Sequence, residues 1–155
     1  MKITAQEEYG IRCLMQLGRG REGASLTIAE ISRAEGISKE YVAKLMRVLR
    51  KGSLVRSVRG QAGGYVLARP LDQIGVSEAL SVLGGRLYDP QFCDHHSLEG
   101  TCSQGGEGCS VRHLWRSVQD VVDQVLARMT LADLLKPPAP PPPSSVPQLT
   151  TIRLN

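Results

Sequence analysis

Residues 27–50 read TIAEISRAEGISKEYVAKLMRVLR, and this stretch decides the fold. Thr27 and Glu30 have the spacing of a capping box, so a helix is predicted to begin there. Gly36 ends that helix, and Ser38 is a favoured N-cap residue for the next one. Apolar residues at helical spacing give the second helix a buried face: Val42, Leu45, Met46 and Leu49. Two helices joined by a tight glycine turn, the second of them basic, are typical of a helix-turn-helix unit.

The segment that follows, SLVRSVRGQAGGYVLA over residues 53–68, predicts a β-hairpin. Two β-prone runs flank a glycine-rich tip that contains Gly60, Gly63 and Gly64. A hairpin attached directly after a helix-turn-helix is a wing. The predicted fold class is therefore mainly α with a small β-hairpin wing, and residues 1–83 form the predicted winged helix-turn-helix DNA-binding domain.

Further helices are predicted on both sides of this unit. The first follows Thr4, and its apolar stripe consists of Tyr9, Cys13, Leu14 and Leu17. That position makes Cys13 a small core residue and not a metal ligand. Ser77 is predicted to cap a helix that includes Leu80 and Leu83.

A long helix is predicted from about Ser110, with a last turn that Thr130 caps and that runs to Leu135. Its apolar stripe is wide and continuous: Leu114, Trp115, Val118, Val121, Val122, Val125, Leu126 and Met129. A small wing domain cannot cover this surface, so a symmetric homodimer is predicted through residues 111–136. The Pro-rich tail over residues 137–155 is predicted to be disordered.

Charge and composition narrow the function classes. The chain has 155 residues and a formal net charge of +4 at pH 7. Residues 1–76 hold 13 Lys and Arg against 7 Asp and Glu, whereas residues 77–155 hold 6 against 8. Only the N-terminal half is therefore expected to meet a polyanion. No signal peptide, membrane span, phosphate-binding loop or nucleophile–base pair is evident, which predicts a cytoplasmic protein that is not an enzyme and has no small-molecule substrate.

Seven basic residues and one acidic residue lie between positions 38 and 59. Such a surface releases counterions from double-stranded DNA and binds it with salt-dependent affinity. The start of the second helix is expected to enter the major groove, where Glu40 can accept from a cytosine amino group, and Arg59 on the wing is suited to a narrow minor groove. The alternative is a solvated basic face on a protein-interaction module. The predicted DNA-binding residues, for a palindromic operator, are Ser38, Lys39, Glu40, Tyr41, Lys44, Arg47, Arg50, Arg56, Arg59, Gly60 and Gly63.

Three of the four cysteines fall in a loop predicted over residues 84–110. The spacing is Cys93-x8-Cys102-x6-Cys109, and His113 follows after three residues. Long loops without secondary structure are uncommon in small domains, and a bound metal centre would account for this one. Thiolates select iron–sulfur clusters, zinc or copper(I).

One motif connects these features to a known family. The wing sequence SVRGQAGGYVL at 57–67, the basic helix before it, and the cysteine loop and Leu-Trp helix after it resemble the IscR/NsrR-type regulators of the Rrf2 family. The opening MKIT and Tyr9 extend the likeness, which covers residues 1 to about 135. The resemblance implies a dimeric winged-helix transcription regulator with an iron–sulfur cluster, [4Fe-4S] or [2Fe-2S], that senses redox, nitric oxide or iron–sulfur status. Some relatives have no cluster.

The resemblance also implies a ligand set, with Cys93, Cys102 and Cys109 on the three cysteine positions. IscR-like members complete the site with a histidine three residues after the last cysteine. Here Arg112 holds that place, and His113 follows it. NsrR-like members use an N-terminal acid from the partner subunit, and Glu8 occupies the matching position. Glu8 is therefore the first candidate for the fourth ligand and His113 the second. The third candidates are His95 and His96.

Two alternatives remain open. The same fold can use reversible thiol oxidation or zinc instead of a cluster. The chain can also be an iron–sulfur electron-transfer protein, although such a carrier has no need of a basic recognition helix.

Overall fold

The computed structural model describes residues 3–20, 23–60, 63–85 and 109–137. Six helices are described: α1 (Ala5–Arg19), α2 (Ile28–Glu35), α3 (Lys39–Lys51), α4 (Val76–Leu83), α5 (Ser110–Leu126) and α6 (Leu131–Leu135). Two strands form an antiparallel hairpin, β1 (Val55–Val58) and β2 (Gly64–Leu67), and a 3-10 turn covers Leu71–Gln73. The predicted fold class is confirmed. Cys93, Cys102, His95, His96 and residues 138–155 lie outside the described residues.

Local hydrogen bonds place the helix-turn-helix where the sequence predicts it. The Glu30 carboxylate accepts from the backbone N–H of Thr27 at 2.8 Å, and the Thr27 hydroxyl accepts from the N–H of Glu30 at 3.2 Å. Gly36 ends α2 with a φ of +67°, a conformation that a side chain opposes. Ser38 then caps α3 by accepting from the N–H of Tyr41 at 3.2 Å. These interactions set the sharp turn between α2 and α3.

The core is aliphatic and joins every element of the N-terminal domain. Cys13 is fully buried within it, as predicted, and burial raises the pKa of its thiol to about 12. The thiol therefore stays protonated and acts as a small apolar group. The buried cluster consists of Cys13, Leu14, Leu17, Ile31, Val42, Leu45, Met46, Leu49, Leu54, Val55, Ile74, Val76, Ala79, Leu83 and Leu131.

The last helix returns to this core from the far end of the chain. Leu131 of α6 has no exposed surface. Two backbone hydrogen bonds hold this segment against the start of α4. The N–H of Val76 donates to the carbonyl of Met129 at 2.9 Å, and the N–H of Leu131 donates to the carbonyl of Ile74 at 2.9 Å. The Asp133 carboxylate accepts from the N–H of Thr130 at 2.9 Å, so Thr130 caps α6 as predicted.

This pairing corrects two predictions. Helix α4 begins at Val76 with Gly75 as its N-cap, and not with Ser77 as predicted. Gly75 forms a β-bridge with Thr130, and the extended backbone of the bridge turns directly into the helix. For the same reason α5 ends at Leu126, so Met129 does not continue its stripe.

Candidate nucleic-acid interface and cysteine site

Helix α3 separates its apolar and charged residues onto opposite faces. Val42, Leu45, Met46 and Leu49 have no exposed surface. The charged side chains on the remaining face are all exposed: Lys39, Glu40, Lys44, Arg47, Arg50 and Lys51. Because the buried face anchors the helix in the core, the basic face is held rigidly toward solvent. This face can accept a polyanion along its whole length.

The first turn of α3 presents a mixture of polar and packed groups. Ser38 is exposed, and while its oxygen caps the helix its hydroxyl proton remains available to an acceptor. Tyr41 is half-buried, because its ring meets the ring of Tyr9 edge-on with centroids 6.2 Å apart. Tyr41 therefore links the start of the recognition helix to α1.

A turn of three residues connects α3 to the wing. The N–H of Leu54 donates to Leu49 at 3.0 Å, and Ser53 turns the chain with a φ of +59°. In the hairpin Arg56 lies opposite Val66, and its side chain is exposed. The wing therefore carries its positive charge on the solvent side, beside α3.

The tip of the wing requires glycine. The N–H of Gly63 donates to the carbonyl of Gly60 at 2.9 Å. A Cβ on Gly63 would lie 2.7 Å from that carbonyl and 3.0 Å from the carbonyl of Val58. Arg59 and Gly60 are exposed at this tip, so all eleven predicted DNA-binding residues lie on α3, on its cap or on the wing.

Cys109 is the one candidate cysteine ligand among the described residues. It is buried, with 9% of its surface exposed, and it is the N-cap of α5. The N–H of His113 donates to the Cys109 carbonyl at 3.0 Å, and the His113 side chain is exposed. Cys109 and His113 thus occupy consecutive turns at the start of α5.

Glu8 lies on α1, exposed, at the edge of a charged network that reaches the helix-turn-helix. Its Oε1 is 3.6 Å from Nη1 of Arg12. Nε of Arg12 donates to Oε2 of Glu35 at 2.7 Å, and Nε2 of Gln16 donates to the other Glu35 oxygen at 2.5 Å. Glu35 is the last residue of α2, and its side chain is only 3% exposed.

Arg12 interacts more strongly with Glu35 than with Glu8. The hydrogen bond to Glu35 raises the pKa of the Arg12 guanidinium, and Glu8 contributes less to that rise. The Arg12 guanidinium also lies 5.5 Å from the centroid of the Tyr9 ring. The sequence does not predict the contacts among Arg12, Gln16 and Glu35. The central pair, Arg12 and Glu35, is 23 positions apart in the chain. Glu35 is a charged residue at the end of an amphipathic helix, and no local sequence pattern identifies its partner.

A groove lies between α1, α4 and α5, and Glu8 is one of the residues that line it. Its volume is about 470 Å³. Its walls are mostly apolar, and the acidic side chains Glu7 and Glu8 lie at its edge. Nearby, α5 exposes a large apolar surface formed by Val111, Leu114, Trp115, Val121 and Val125. Four residues of the apolar stripe predicted for this helix are therefore exposed in the single chain, namely Leu114, Trp115, Val121 and Val125, whereas Leu126 and Met129 pack against the core.

Within the described part of the chain, none of the helices has the length and apolar character that crossing a bilayer requires.

Comparisons with known proteins agree with this architecture. The family model for Rrf2, described as an iron-dependent transcriptional regulator, matches residues 3–137. The transcriptional regulator IscR of Cronobacter sakazakii is 34% identical over 135 residues, which cover 87% of this chain and 80% of that protein. IscR of Escherichia coli is 33% identical over the same length and the same shares.

Solved structures give the same result. CymR, described as the global cysteine regulator of B. subtilis, superposes with a TM-score of 0.69 at 28% identity and covers 86% of this chain and 95% of its own. T. potens IscR has a TM-score of 0.69 at 29% identity, over 87% of this chain and 86% of its own. The match to the family model spans every described element, from α1 to α6. The chain belongs to the Rrf2 family of transcription regulators.

Proposed function

We propose that two copies of this chain form a homodimer that binds a palindromic operator, and that an iron–sulfur cluster controls its affinity. The proposed cluster ligands are Cys93, Cys102 and Cys109 of one copy and Glu8 of the other. The observation that carries the proposal is the exposed basic face of α3 beside a wing with a basic tip. Relatives named IscR support the regulator, and the cysteine loop supports the cluster.

Cys109 is the one proposed cysteine ligand among the described residues, and its surroundings suit a thiolate ligand. Cys109 is almost fully covered, which suits a site that excludes water. As N-cap of α5 it lies where the first backbone N–H groups of a helix have no intrahelical acceptor, and these groups favour negative charge. When bound, the cluster supplies redox chemistry and reactivity toward nitric oxide.

The residues around Glu8 can transmit its state to the DNA-binding face. The Glu8 carboxylate has one described ionic partner, Arg12, at 3.6 Å. A Glu8 that turns toward a ligand position on the partner subunit leaves Arg12 with Glu35 alone. Glu35 ends α2 at the helix-turn-helix turn, and Tyr9 touches Tyr41 at the start of α3. Both neighbours of Glu8 on α1 thus contact the elements that orient the recognition helix.

His113 is the second candidate for the fourth ligand position. It is exposed, one turn after Cys109. A histidine on the same subunit as the cysteines would not tie the two copies together, whereas Glu8 of the partner subunit would. This difference makes Glu8 the candidate that best explains control of a dimer.

Thiol oxidation is the second candidate function. One structural relative is described as the oxidized form of Staphylococcus aureus CymR, and it matches 90% of this chain with a TM-score of 0.67 at 26% identity. In that case Cys109 and its neighbours in the loop would form the sensor without a metal.

The deciding experiment combines metal analysis with DNA binding. The full-length protein is purified without oxygen, and its iron and sulfide content and visible spectrum are measured. Fluorescence anisotropy then gives its affinity for a labelled palindromic promoter, before and after the cluster is removed by a chelator. We expect a coloured protein whose affinity changes when the cluster is lost. A colourless, iron-free protein whose affinity responds to peroxide and dithiothreitol would favour thiol oxidation.

Four variants identify the ligands. Cys109→Ser is expected to abolish the visible spectrum, and Cys13→Ala, which removes a buried thiol from the core, is the matched control that keeps it. Glu8→Ala is expected to make the cluster labile, while His113→Ala leaves it intact. If His113→Ala alone bleached the protein, the fourth ligand would be His113, and the relay through Arg12 would lose its basis.

A further inference from the structure

The groove between α1, α4 and α5 is open in the single chain, and its lining is mostly apolar. Its volume of about 470 Å³ is large enough for a bulky aromatic side chain and its neighbours. Its edge carries Glu7 and Glu8. Its apolar walls include Ile11 from α1, Leu80 from α4, and Val122 and Leu126 from α5.

Helix α5 extends beyond this groove. Val122 lines the groove, and Trp115 precedes it by seven residues, which is two helical turns. Trp115 therefore points to the same side of the helix as Val122. In the single chain 48% of its surface is exposed. The first turns of α5 thus present a half-exposed indole on the same side of the helix as the residues that line the groove.

We infer that Trp115 of a second copy occupies this groove. The inference rests on the homodimer of the proposed function. When two α5 helices pack antiparallel around a twofold axis, the overhanging start of each helix lies beside the end of the other. The end of α5 is the part that lines the groove. Each indole then points into the partner's groove, and the contact is made twice.

Charge supports this occupant. Arg116 follows Trp115 directly on the same turn of α5, and its side chain is exposed. The groove that would receive it carries Glu7 and Glu8 at its edge. An incoming basic segment with an aromatic centre therefore complements an apolar groove with an acidic edge.

The docked geometry would also bring together the proposed ligands of each metal site, which come from both copies. Cys109 precedes Trp115 by six residues, which is about 9 Å along the helix axis. With Trp115 in the groove, Cys109 of the second copy lies near the groove edge that carries Glu8. The same contact that buries the indole brings the two proposed ligands together.

The chain contains a single tryptophan, so its intrinsic fluorescence reports on Trp115 alone. The full-length protein, both cluster-loaded and cluster-free, is diluted through the dimer dissociation range while sedimentation velocity gives its mass. Emission and acrylamide quenching are recorded on the cluster-free sample. We expect emission to move to longer wavelength and quenching to increase as the dimer dissociates. An indole equally exposed in monomer and dimer would overturn the inference, and so would a chain that is monomeric at every concentration.

Two variants test the contact from both sides. Trp115→Ala and Ile11→Glu are each expected to raise the dimer dissociation constant by at least about 30-fold, which corresponds to ~2 kcal/mol. Gln124→Ala, an exposed change on another face of α5, is expected to stay within about 2-fold of wild type. If both groove variants behaved like Gln124→Ala, the groove would have another occupant. Should Ile11→Glu fail to fold by circular dichroism, the wild-type dilution series still decides.

Failure of the inference differs from failure of the proposed function. If the protein is a dimer with a buried indole, and its DNA affinity does not change when the cluster is removed, the proposed cluster control is refuted. The Trp115 contact then still stands. A cluster-controlled dimer with an exposed indole would refute only the contact.

Discussion

Replacement of Lys44 by alanine tests the DNA-binding face most directly. Lys44 is exposed on α3, and the buried face of the helix does not depend on it. We therefore expect the protein to fold normally and to bind the operator with weaker salt dependence. The matched control is Lys136→Ala, which removes the same charge from a side chain that is 70% exposed on the turn after α6.

The magnitude follows from counterion release. Each phosphate contact contributes about 0.9 to the slope of log affinity against log salt concentration, and a dimer loses two contacts for one substitution. The slope should fall by about 1.8. The affinity advantage of wild type over Lys44→Ala should then shrink about 12-fold between 50 and 200 mM salt.

Anisotropy titrations with one labelled operator at several salt concentrations measure both slopes. The Lys136→Ala protein should keep the wild-type slope, because its charge lies outside the proposed interface. Equal slopes for Lys44→Ala and wild type would refute the assignment of this face to DNA.

Three further predictions follow from single contacts. Leu131→Ala should lower the free energy of unfolding by about 3 kcal/mol, because the side chain is fully buried. Thermal unfolding should then show a Tm roughly 6–12 °C lower. An unchanged Tm would mean that α6 does not pack in the core. Gly63→Ala should weaken operator binding and leave the circular dichroism spectrum unchanged, since its Cβ would lie 2.7 Å from the Gly60 carbonyl; wild-type affinity would contradict the described tip. Hydrogen bonds from Thr27 lower the pKa of Glu30, so its carboxylate stabilises α2 at neutral pH and loses that effect as pH falls below its unfolded pKa of about 4.3. Glu30→Gln should therefore lower Tm at pH 7, and the Tm difference from wild type should shrink as the pH falls below about 4.3. A Tm difference that stayed constant with pH would oppose this reasoning.

Local signals account for the parts of the fold that sequence reasoning predicted correctly. The box formed by Thr27 and Glu30, the left-handed Gly36 and the Ser38 cap each depend on residues within a few positions of one another. Hydrogen bonds between residues so close in the chain can be predicted directly from the sequence. The buried face of α3 is equally readable, because 3.6 residues per turn convert spacing into direction.

Contacts between distant segments account for the errors. The start of α4 was misplaced because Gly75 pairs with Thr130, 55 positions later in the chain. The end of α5 was misplaced for the same reason. The ion pair between Arg12 and Glu35 could not be predicted either, since neither residue has a local pattern that names its partner.

The order of the residues alone determined the family, the helix-turn-helix, the wing and the candidate ligands, because each of them is a short motif with its own chemistry. Only the tertiary structure showed that Glu8 adjoins a network ending at α2, and that an apolar groove lies open beside the overhanging Trp115. Packing brings these groups together across long stretches of chain, and no spacing rule encodes a contact whose partners are set by how helices dock.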